Sequence, residues 1–544
     1  MPAQSLAHRI EELARKRPLE PAIVAPHDTL TWSAYDERSQ ALARAFAACG
    51  FKTGERVAVW LPDGPGVHVA FVAGEKAGLS ILGIGPRAGF EEVAHLMAQT
   101  GAVSLVSRSH QGEVDTRDLY HELVGRGLPL RGHFVVPNEL AIGDDLLFED
   151  RSISGSGSDS SMDALLAERR LGVEDLFLLN STSGTTGMPK CVRHDQLRWM
   201  RFHDLAVEAA DLSSDDIFLS ALPTPFGFGI WTAHVTPTLL GVPTVQLPRF
   251  SPEEVLAQIE RHRVSVLAAV STQFIMMLDS AAIDQHDLGS LRVLFTGGEA
   301  VPFDRAVDFE ARSGAKVLQF YGSNETGAVS RTTLRDPREK RLRTAGRPIE
   351  AMQLRLLDEE GRNVTDRGRG QPVCKGPLLS GGYDNDLAAN EELRTPDGFF
   401  RLGDIVELDR EGYLHVIGRA DDFIIRGGKN ISGPAVEAAV ATHPAVRLAA
   451  AVAMPDATYG ERVCVFVELR PGNKIRLEDL VDHLRATGIS VENWPERLVV
   501  MAALPRGSGG KIAKQALRDE IRRTRARETD LKATGSGTRP PFDG

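Results

Sequence analysis

Apolar runs of strand length alternate with amphipathic stretches of helix length along most of this chain. Four such runs are residues 56–62, 265–270, 292–298 and 316–322, and helix-length segments such as residues 253–263 lie between them. This alternation predicts βαβ units with largely parallel sheets covered by helices. Most of these runs end in Gly or Pro, and ligand-binding loops in such folds lie at the carboxyl ends of the strands.

The pattern changes toward the C-terminus. From about Met352 short strands and turns predict a mainly β subdomain, and after Arg419 a compact α+β unit is predicted. We expect an α/β fold with a large N-terminal domain (1–420) of two βαβ-type subdomains plus a small β subdomain. A small α+β C-terminal domain (421–525) and a disordered tail (526–544) follow, since the tail is charged and then rich in Gly, Thr and Pro. The Ser/Gly-rich residues 150–163 predict a flexible surface loop or subdomain boundary.

Composition excludes several classes of protein. The chain has 544 residues and a formal net charge of -11, whereas a protein that tracks a nucleic-acid backbone needs a basic face. No apolar run approaches the roughly 18 residues needed to span a bilayer, and the N-terminus lacks the apolar core of a signal peptide. The cysteines form no CxxC pair, which argues against a zinc site or a disulfide framework and fits a cytoplasmic protein. They are Cys49, Cys191, Cys374 and Cys464.

Residues 181–190, STSGTTGMPK, follow a predicted strand and combine glycines, hydroxyl residues and a terminal lysine. Glycine lets backbone N–H groups turn toward an anion, hydroxyls add donors, and Lys190 adds a positive charge. A polar surface turn is one interpretation. A Walker loop is disfavoured, because Pro189 precedes Lys190 and Cys191 follows it. A third interpretation is a phosphate loop of another kind.

The third interpretation is supported by a resemblance to a known protein family. The segment TSGTTGMPK resembles the phosphate loop of the adenylate-forming superfamily, which includes acyl-CoA synthetases, luciferases and the adenylation domains of peptide synthetases. The resemblance extends in order and spacing to Lys514. It implies that ATP phosphates are bound by Thr182, Ser183, Gly184, Thr185, Thr186, Gly187 and Lys190.

Residues 319–327, QFYGSNETG, resemble the family's adenine and phosphate segment. The resemblance implies that Tyr321 stacks on adenine, that Gly322 lies beside the nucleotide, and that Glu325 holds the Mg²⁺ bridging the ATP phosphates, a cation that prefers oxygen ligands. The family usually has Thr before this Glu, and Asn324 changes the group facing the α-phosphate. Residues 296–300 resemble the loop beside adenine and the acyl pocket, which implies contacts from Gly298, Glu299 and Ala300.

The C-terminal motifs resemble the family's ribose, hinge and lysine segments. Asp404 would accept hydrogen bonds from the ribose hydroxyls and Arg419 would contact the same sugar. Asp421 would be the hinge about which a mobile C-terminal domain rotates. Gly427 and Gly428 would form the strand edge along which the pantetheine arm of coenzyme A passes, because small residues permit close approach. In residues 504–514, LPRGSGGKIAK, the catalytic lysine would be Lys511.

Residues 221–234 occupy the region of the acyl pocket in this resemblance. Phe226, Phe228 and Trp231 would make one wall bulky and apolar, with Ser271 on another wall. Plain core packing is an equal alternative for Phe228 and Trp231. Bulk here favours a compact acid: short branched, 2-hydroxylated, alicyclic or aromatic.

The resemblance implies an AMP-forming acid–CoA ligase that uses ATP, Mg²⁺ and coenzyme A on a small carboxylic acid; a homodimer is compatible with it. Three alternatives stay open: an adenylation enzyme loading a separate carrier protein, a luciferase-type oxidation, and a nucleotide-binding regulator that has lost catalysis. Lys190, Glu325, Asp404, Arg419 and Lys511 together argue against the regulator.

Overall fold

Strands without an exposed face form the middle of the fold, as the uninterrupted apolar runs predict. The computed structural model of the protein describes residues 4–26, 28–136, 146–148, 151–153, 160–182, 188–298, 301–419, 422–426, 429–456, 458–487, 489–507 and 511–533. Every residue of Ser80–Gly83 and of Val293–Gly297 is buried. Such strands are typical of parallel sheets covered on both faces.

The chain divides into a large unit (residues 1–402 and 408–415) and a small unit (residues 403–407 and those from 416 onward). A nine-stranded sheet of the large unit has six parallel strands between antiparallel edges. Its strands, in spatial order, are Arg347–Pro348, Gly327–Arg331, Lys316–Ser323, Val293–Gly297, Val266–Ala268, Phe218–Ser220, Thr244–Gln246, Pro21–Ala25 and Asp28–Thr31.

A second, eight-stranded sheet of the large unit has five parallel strands. Its order is Arg151–Ile153, Leu146–Phe148, His133–Val136, Ser104–Arg108, Arg56–Trp60, Ser80–Gly83, Leu178–Ser181 and Cys191–His194. The first two of these strands form a hairpin that enters the segment expected to be a flexible loop. The helix Ser160–Arg169 also begins in that segment, so both of its described ends are regular structure, whereas residues 154–159 lie outside the described residues.

Smaller strands complete the large unit. Gln353–Leu357 pairs antiparallel with Arg369–Lys375, which pairs with Phe400–Arg401, in the region predicted to be mainly β. His110–Gln111 pairs with Val114–Asp115. The division between the units falls within two further strands, Asp404–Leu408 and Leu414–Arg419.

Helices follow the strands, as the alternation predicts. The α-helices of the large unit are Leu6–Lys16, Trp32–Ala48, Pro65–Ala77, Phe90–Thr100, Thr116–Gly125, Ser160–Arg169, Gln196–Ala210, Gly227–Gly229, Thr236–Leu240, Pro252–His262, Ser271–Asp279, Phe303–Ser313, Arg338–Arg343 and Leu387–Leu393. A π-helix spans Ile230–Val235, and 3₁₀ turns span Ala281–Asp284 and Thr365–Arg367. Side-chain caps define the first turn of several helices. For example, the Asp195 carboxylate accepts a hydrogen bond from the Arg198 N–H at 2.8 Å at the start of Gln196–Ala210.

The small unit has its own α+β core. Its sheet order is Lys429–Ser432, Phe423–Arg426, Gly460–Leu469 and Val446–Asp456, with Arg497–Val500 added parallel to Gly460–Leu469. The helices Gly433–Ala441, Leu477–Ala486 and Lys514–Ala533 and the 3₁₀ turn Val491–Asn493 belong to the same unit.

The last helix corrects one expectation. Lys514–Ala533 extends eight residues into the tail expected to be disordered, and the rest of that tail lies outside the described residues. Residues 526–533 contain several strong helix formers, and they continue a helix in which Arg523 pairs with Glu520 just before the tail. None of the described helices has both the length and the apolar character of a bilayer-spanning segment.

Candidate active site

The predicted phosphate loop leaves the eight-stranded sheet between two antiparallel strands, Leu178–Ser181 and Cys191–His194. Its neck is closed by the Thr182 N–H, which donates to the Lys190 carbonyl oxygen at 2.9 Å. Thr182 and Lys190 are both half-buried. The remaining predicted phosphate ligands, Ser183, Gly184, Thr185, Thr186 and Gly187, lie outside the described residues.

Tyr383 brings Lys190 and Glu325 together. The Lys190 Nζ lies 5.1 Å from the centroid of the Tyr383 ring, and the Tyr383 hydroxyl donates to Glu325 Oε1 at 2.6 Å. Burial, followed by the neighbouring Glu325 carboxylate, raises the pKa of the Tyr383 hydroxyl, which therefore stays a donor at neutral pH. Sequence reasoning missed this residue. Its signal was an aromatic after Gly381 and Gly382, which alone indicates only a turn.

Asn180, a second residue that the motifs did not mark, joins three predicted segments. It is fully buried at the end of the strand before the phosphate loop. Its Nδ2 donates to the Pro225 carbonyl in the acyl-pocket segment at 2.9 Å, and its Oδ1 accepts from Asn324 Nδ2 at 2.6 Å. A Cβ on Gly227 would lie 2.6 Å from Asn324 Oδ1, so glycine there makes room for the paired amides.

A buried arginine orders this network. Arg198, 2% exposed, donates to the carbonyls of Leu378 and Asn324 and to His194 Nδ1. A guanidinium can only donate, so His194 Nδ1 accepts, and the pKa of His194 lies well below its ordinary value through burial and then the charge of Arg198. His194 Nε2 therefore carries the proton and donates to Asn180 Oδ1 at 2.8 Å. The direction of every bond from Arg198 to Asn324 is thus fixed.

The adenine segment depends on close backbone approach. A Cβ at Gly322 would lie 1.8 Å from the Gly327 carbonyl oxygen, and Gly298 has φ +77°, in the region that favours glycine. Tyr321 is half-buried at the carboxyl end of Lys316–Ser323. Glu299 and Ala300 lie outside the described residues.

The aromatic side chains of the predicted acyl pocket differ in their surroundings. Trp231 is 2% exposed and packs among Phe202, Phe295 and Phe320, so it belongs to the core. Phe228 is half-buried and stacks on Trp231 at 5.4 Å with an interplanar angle of 11°.

Two further pocket candidates lie on neighbouring elements of the large unit. Phe226 is half-buried, and a Cβ at Gly85 would lie 2.7 Å from its ring. Ser271 is buried at the start of the helix Ser271–Asp279. Phe226 and Phe228 are therefore the aromatics of the segment that keep exposed surface.

In the small unit, Asp404 is half-buried and Arg419 is exposed. A Cβ on Gly403 would lie 2.9 Å from Arg419 Nη2, so the glycine before Asp404 lets the guanidinium approach the strand. Asp421, Gly427 and Gly428 lie outside the described residues; the two glycines come between the paired residues Arg426 and Lys429.

Lys511 comes directly after residues 508–510, which lie outside the described part of the chain. The Gly507 N–H donates to the Lys511 carbonyl at 2.8 Å. Three residues later, Lys514 Nζ pairs with Asp422 at 3.1 Å and Glu437 at 2.9 Å. Burial lowers the pKa of Lys514, but the two carboxylates outweigh burial and raise it above its ordinary value. Lys514 is therefore a structural cation, and Lys511 is half-buried.

The residues around Glu325 fit a magnesium ion held largely by a substrate. The described residues contain no cluster of three or more His, Cys, Asp or Glu side chains that could enclose a metal. Mg²⁺ is commonly bound by one or two carboxylates together with substrate phosphates. Glu325 is half-buried, and its orientation is set by Tyr383 through Oε1. That arrangement suits a single carboxylate ligand.

Comparison with known families now identifies the chain. The family described as "AMP-binding enzyme" matches residues 10–384, and "AMP-binding enzyme C-terminal domain" matches residues 435–523. The chain belongs to the AMP-binding enzyme family. The resemblance to adenylate-forming enzymes, acyl-CoA synthetases among them, is confirmed, and this is an ATP-dependent adenylate-forming family.

Relatives within the AMP-binding enzyme family cover nearly the whole chain. A medium-chain fatty-acid–CoA ligase from Escherichia coli is 28% identical over 95% of this chain and 91% of its own. A salicyl-AMP ligase / salicyl-S-ArCP synthetase from Mycobacterium tuberculosis is 32% identical over 90% of this chain and 85% of its own. The two names differ in both acid and acceptor.

A solved structure supports the fold. An anthranilate–CoA ligase, AuaEII, in complex with anthranoyl-AMP superposes with a TM-score of 0.83, at 21% identity over 96% of this chain and 98% of that one. The predicted α/β class, with a large N-terminal and a small C-terminal domain, is confirmed.

Proposed function

We propose that this AMP-binding enzyme is an acid–CoA ligase. A carboxylic acid and ATP give an acyl-adenylate and pyrophosphate, and coenzyme A then gives an acyl-CoA and AMP. The observation that carries the proposal is the group Lys190–Tyr383–Glu325, which joins a phosphate-loop cation to a carboxylate suited to Mg²⁺. Family membership, matched over residues 10–384, supports the same chemistry.

The first step needs no protein nucleophile, because the carboxylate of the substrate attacks the α-phosphorus itself. The protein must offset the repulsion between two anions and the charge that spreads over the phosphate. We assign that task to Lys511 at the reacting groups and to the phosphate loop from Thr182 to Lys190 at the β- and γ-phosphates. Mg²⁺ bound through Glu325 would neutralise phosphate charge. Tyr321, Gly322, Gly298, Asp404 and Arg419 are assigned to adenine and ribose.

The second step is attack by the thiol of coenzyme A on the adenylate carbonyl. We assign the passage of the pantetheine arm to Gly427 and Gly428, and the change between the two steps to rotation at Asp421. Lys511 should therefore matter for adenylation, and Gly428 for thioester formation.

We propose a compact acid as the substrate. Phe226 and Phe228 are half-buried in the acyl-pocket segment, and bulky rings beside the substrate would favour a compact acid over a long chain. The names of relatives point both ways, to a medium-chain fatty acid in one and to salicylate in another. The acid therefore has to be found by assay.

A second candidate function is loading of a carrier protein. It is favoured by the relative named salicyl-AMP ligase / salicyl-S-ArCP synthetase, which is 32% identical to this chain. In that case adenylation would be unchanged, and only the thiol acceptor would differ.

The test is pyrophosphate release with ATP and Mg²⁺ across short, branched, 2-hydroxy, alicyclic and aromatic acids, each with and without coenzyme A. Release that depends on one class of acid and rises with coenzyme A supports the ligase. Release indifferent to coenzyme A supports a carrier acceptor. If no acid gives release, even at high enzyme concentration, the ligase proposal loses to the alternative of a nucleotide-binding regulator.

A further inference from the structure

Tyr383 lies between two groups that the proposed reaction uses but that are far apart in the chain. Its hydroxyl donates to Glu325 Oε1 at 2.6 Å, while the face of its ring lies 5.1 Å from Lys190 Nζ. One side chain therefore contacts the carboxylate assigned to Mg²⁺ and the cation assigned to the phosphates, through two chemically different parts.

The backbone of Tyr383 is fixed on both sides. Its N–H donates to Asn390 Oδ1 and its carbonyl accepts from Asn390 Nδ2, both at 2.8 Å. The next residue, Asp384, has a fully buried carboxylate that pairs with Arg56 at 2.7 Å and with Arg193 at 2.8 Å. Since Arg193 belongs to the strand that follows the phosphate loop, these bonds tie Tyr383 to that loop's sheet.

The hydroxyl and the ring of Tyr383 suit different tasks, one at Glu325 and the other at Lys190. A phenol that donates to one carboxylate oxygen limits rotation of the carboxylate while its other oxygen keeps lone pairs for a hard cation. The ring face attracts an ammonium group without consuming its N–H donors, so Lys190 can still donate to phosphate. Groups that orient a metal ligand in this way typically change metal affinity 10–100-fold when removed.

We propose that Tyr383 is a positioning residue that holds Glu325 in the orientation that binds Mg²⁺ and holds Lys190 at the neck of the phosphate loop. The inference rests on the proposed function. It assigns Tyr383 no contact with the reacting atoms.

The two contacts can be separated by substitution. Tyr383→Phe removes the hydroxyl and keeps the ring, whereas Tyr383→Leu removes both. The chain contains a matched control: the Tyr413 hydroxyl donates to Asp336 at 2.7 Å, and the Tyr413 ring lies 4.8 Å from Lys340 Nζ. Tyr413→Phe therefore removes the same kind of bond elsewhere in the large unit.

The first measurement is the affinity for Mn²⁺ in the presence of a non-hydrolysable ATP analogue. Electron paramagnetic resonance detects the binding. We expect Tyr383→Phe to weaken Mn²⁺ binding about 10-fold and to raise the half-saturating Mg²⁺ for pyrophosphate release by a similar factor. Tyr383→Leu should in addition raise the KM for ATP, and we expect Lys190→Ala to raise it as well. Tyr413→Phe should change none of these quantities.

A double-variant comparison tests the coupling directly and does not depend on one variant alone. Glu325→Asp withdraws the carboxylate from Tyr383, so adding Tyr383→Phe to it should cost less than Tyr383→Phe costs in the wild type. Thermal unfolding of each variant separates loss of fold from loss of metal binding.

Two results distinguish this inference from the proposed function. If wild-type enzyme releases pyrophosphate but Tyr383→Phe binds Mn²⁺ within about twofold of it, the positioning role is wrong and the ligase stands. If no acid supports release, the ligase fails, and the Mn²⁺ measurement still decides whether Tyr383 orients Glu325. Full additivity of Tyr383→Phe and Glu325→Asp would also overturn the inference.

Discussion

The large and small units present their assigned lysines in opposite ways. Lys190 stands at a hydrogen-bonded loop neck over the ring of Tyr383, beside a buried network that includes Asn180 and Arg198. Lys511 follows the glycine-rich residues 507–510 in the sequence, and two described ion pairs nearby engage Lys514. A rigid surround suits groups that bind the nucleotide throughout a reaction.

The difference shows where each unit concentrates its buried polar groups. In the large unit, Asn180, His194 and Arg198 are buried and joined to one another, so the loops at the strand ends share one set of bonds. In the small unit, the described ion pairs of Asp422 with Lys514 and Arg518 hold the last helix to the unit's core. Four predictions test this contrast, from the largest expected effect to the smallest.

The largest effect is expected at Lys511. Lys511→Ala should lower acid-dependent pyrophosphate release about 1000-fold, because it removes a charge that offsets repulsion between two anions. The Gly507 N–H to Lys511 carbonyl bond does not involve the side chain and is kept in this variant, and thermal unfolding would show whether the variant is folded. Stopped-flow or coupled pyrophosphate assays would measure the rate.

Lys514→Ala is the matched control for the small unit. It breaks the pairs with Asp422 and Glu437, so it should lower the unfolding temperature and leave the adenylation rate of folded enzyme within about threefold. If Lys511→Ala released pyrophosphate at the wild-type rate, the assignment of the catalytic lysine would be wrong.

The second effect is expected at Arg198, the buried cation of the large unit. Arg198→Met should cost about 3 kcal/mol of stability, because it leaves the carbonyls of Leu378 and Asn324 and the His194 ring nitrogen without their donor. Arg201, one turn along the same helix, is exposed and donates to the Pro377 carbonyl at 3.1 Å. Arg201→Met should cost less than about 0.5 kcal/mol, and equal losses in calorimetry would contradict a buried network.

How far the sequence could predict this contrast depends on the type of signal. The parallel sheets followed from uninterrupted apolar runs such as Val293–Gly297, because burial on both faces leaves no polar alternation. Lys190 and Glu325 were marked by local motifs. Asn180 and Tyr383 were not, since their roles come from partners more than 50 residues away, Asn324 and Glu325.

Two side-chain amides that pair in the folded protein, such as Asn180 and Asn324, need not be separated by any fixed number of residues in the sequence. The same limit applies to Trp231, whose position in an aromatic segment did not distinguish a pocket wall from the core; only its contacts with Phe202, Phe295 and Phe320 do so. Local charge also misled at the C-terminus, where residues 526–533 are helical because the segment is rich in helix formers.

The third effect is expected at Asn180. Asn180→Ala removes the acceptor for His194 and Asn324 and the donor to Pro225, which should cost about 2 kcal/mol and raise the KM for ATP. Asn385, in the same unit, has an exposed side chain that donates to the Gln99 carbonyl at 2.9 Å. Asn385→Ala should leave the KM for ATP unchanged; a parallel rise in both variants would show that the network has no special link to the nucleotide.

The smallest effect is expected at Asp63, a half-buried carboxyl residue of the large unit. Its carboxylate accepts from the Thr224 N–H of the acyl-pocket segment at 2.7 Å. Burial nevertheless raises the pKa of Asp63 to about 6, above its ordinary value of 3.8, against the lowering effects of Thr224 and Arg87. Because the folded protein binds this proton more tightly than the unfolded chain, ionisation of Asp63 destabilises the fold as pH rises from 4 through 6.

Asp63→Asn should therefore stabilise the protein by about 1–2 kcal/mol above pH 7 and by nothing near pH 4, since an amide oxygen can still accept from Thr224. The measurement is the difference in unfolding temperature between variant and wild type across pH 4 to 8. Asp215→Asn, on an exposed residue of the same unit, controls for the general loss of a negative charge. A gain that is equal at all pH values would mean that Asp63 is already compensated, and that the large unit organises its loops without an electrostatic penalty at this carboxylate.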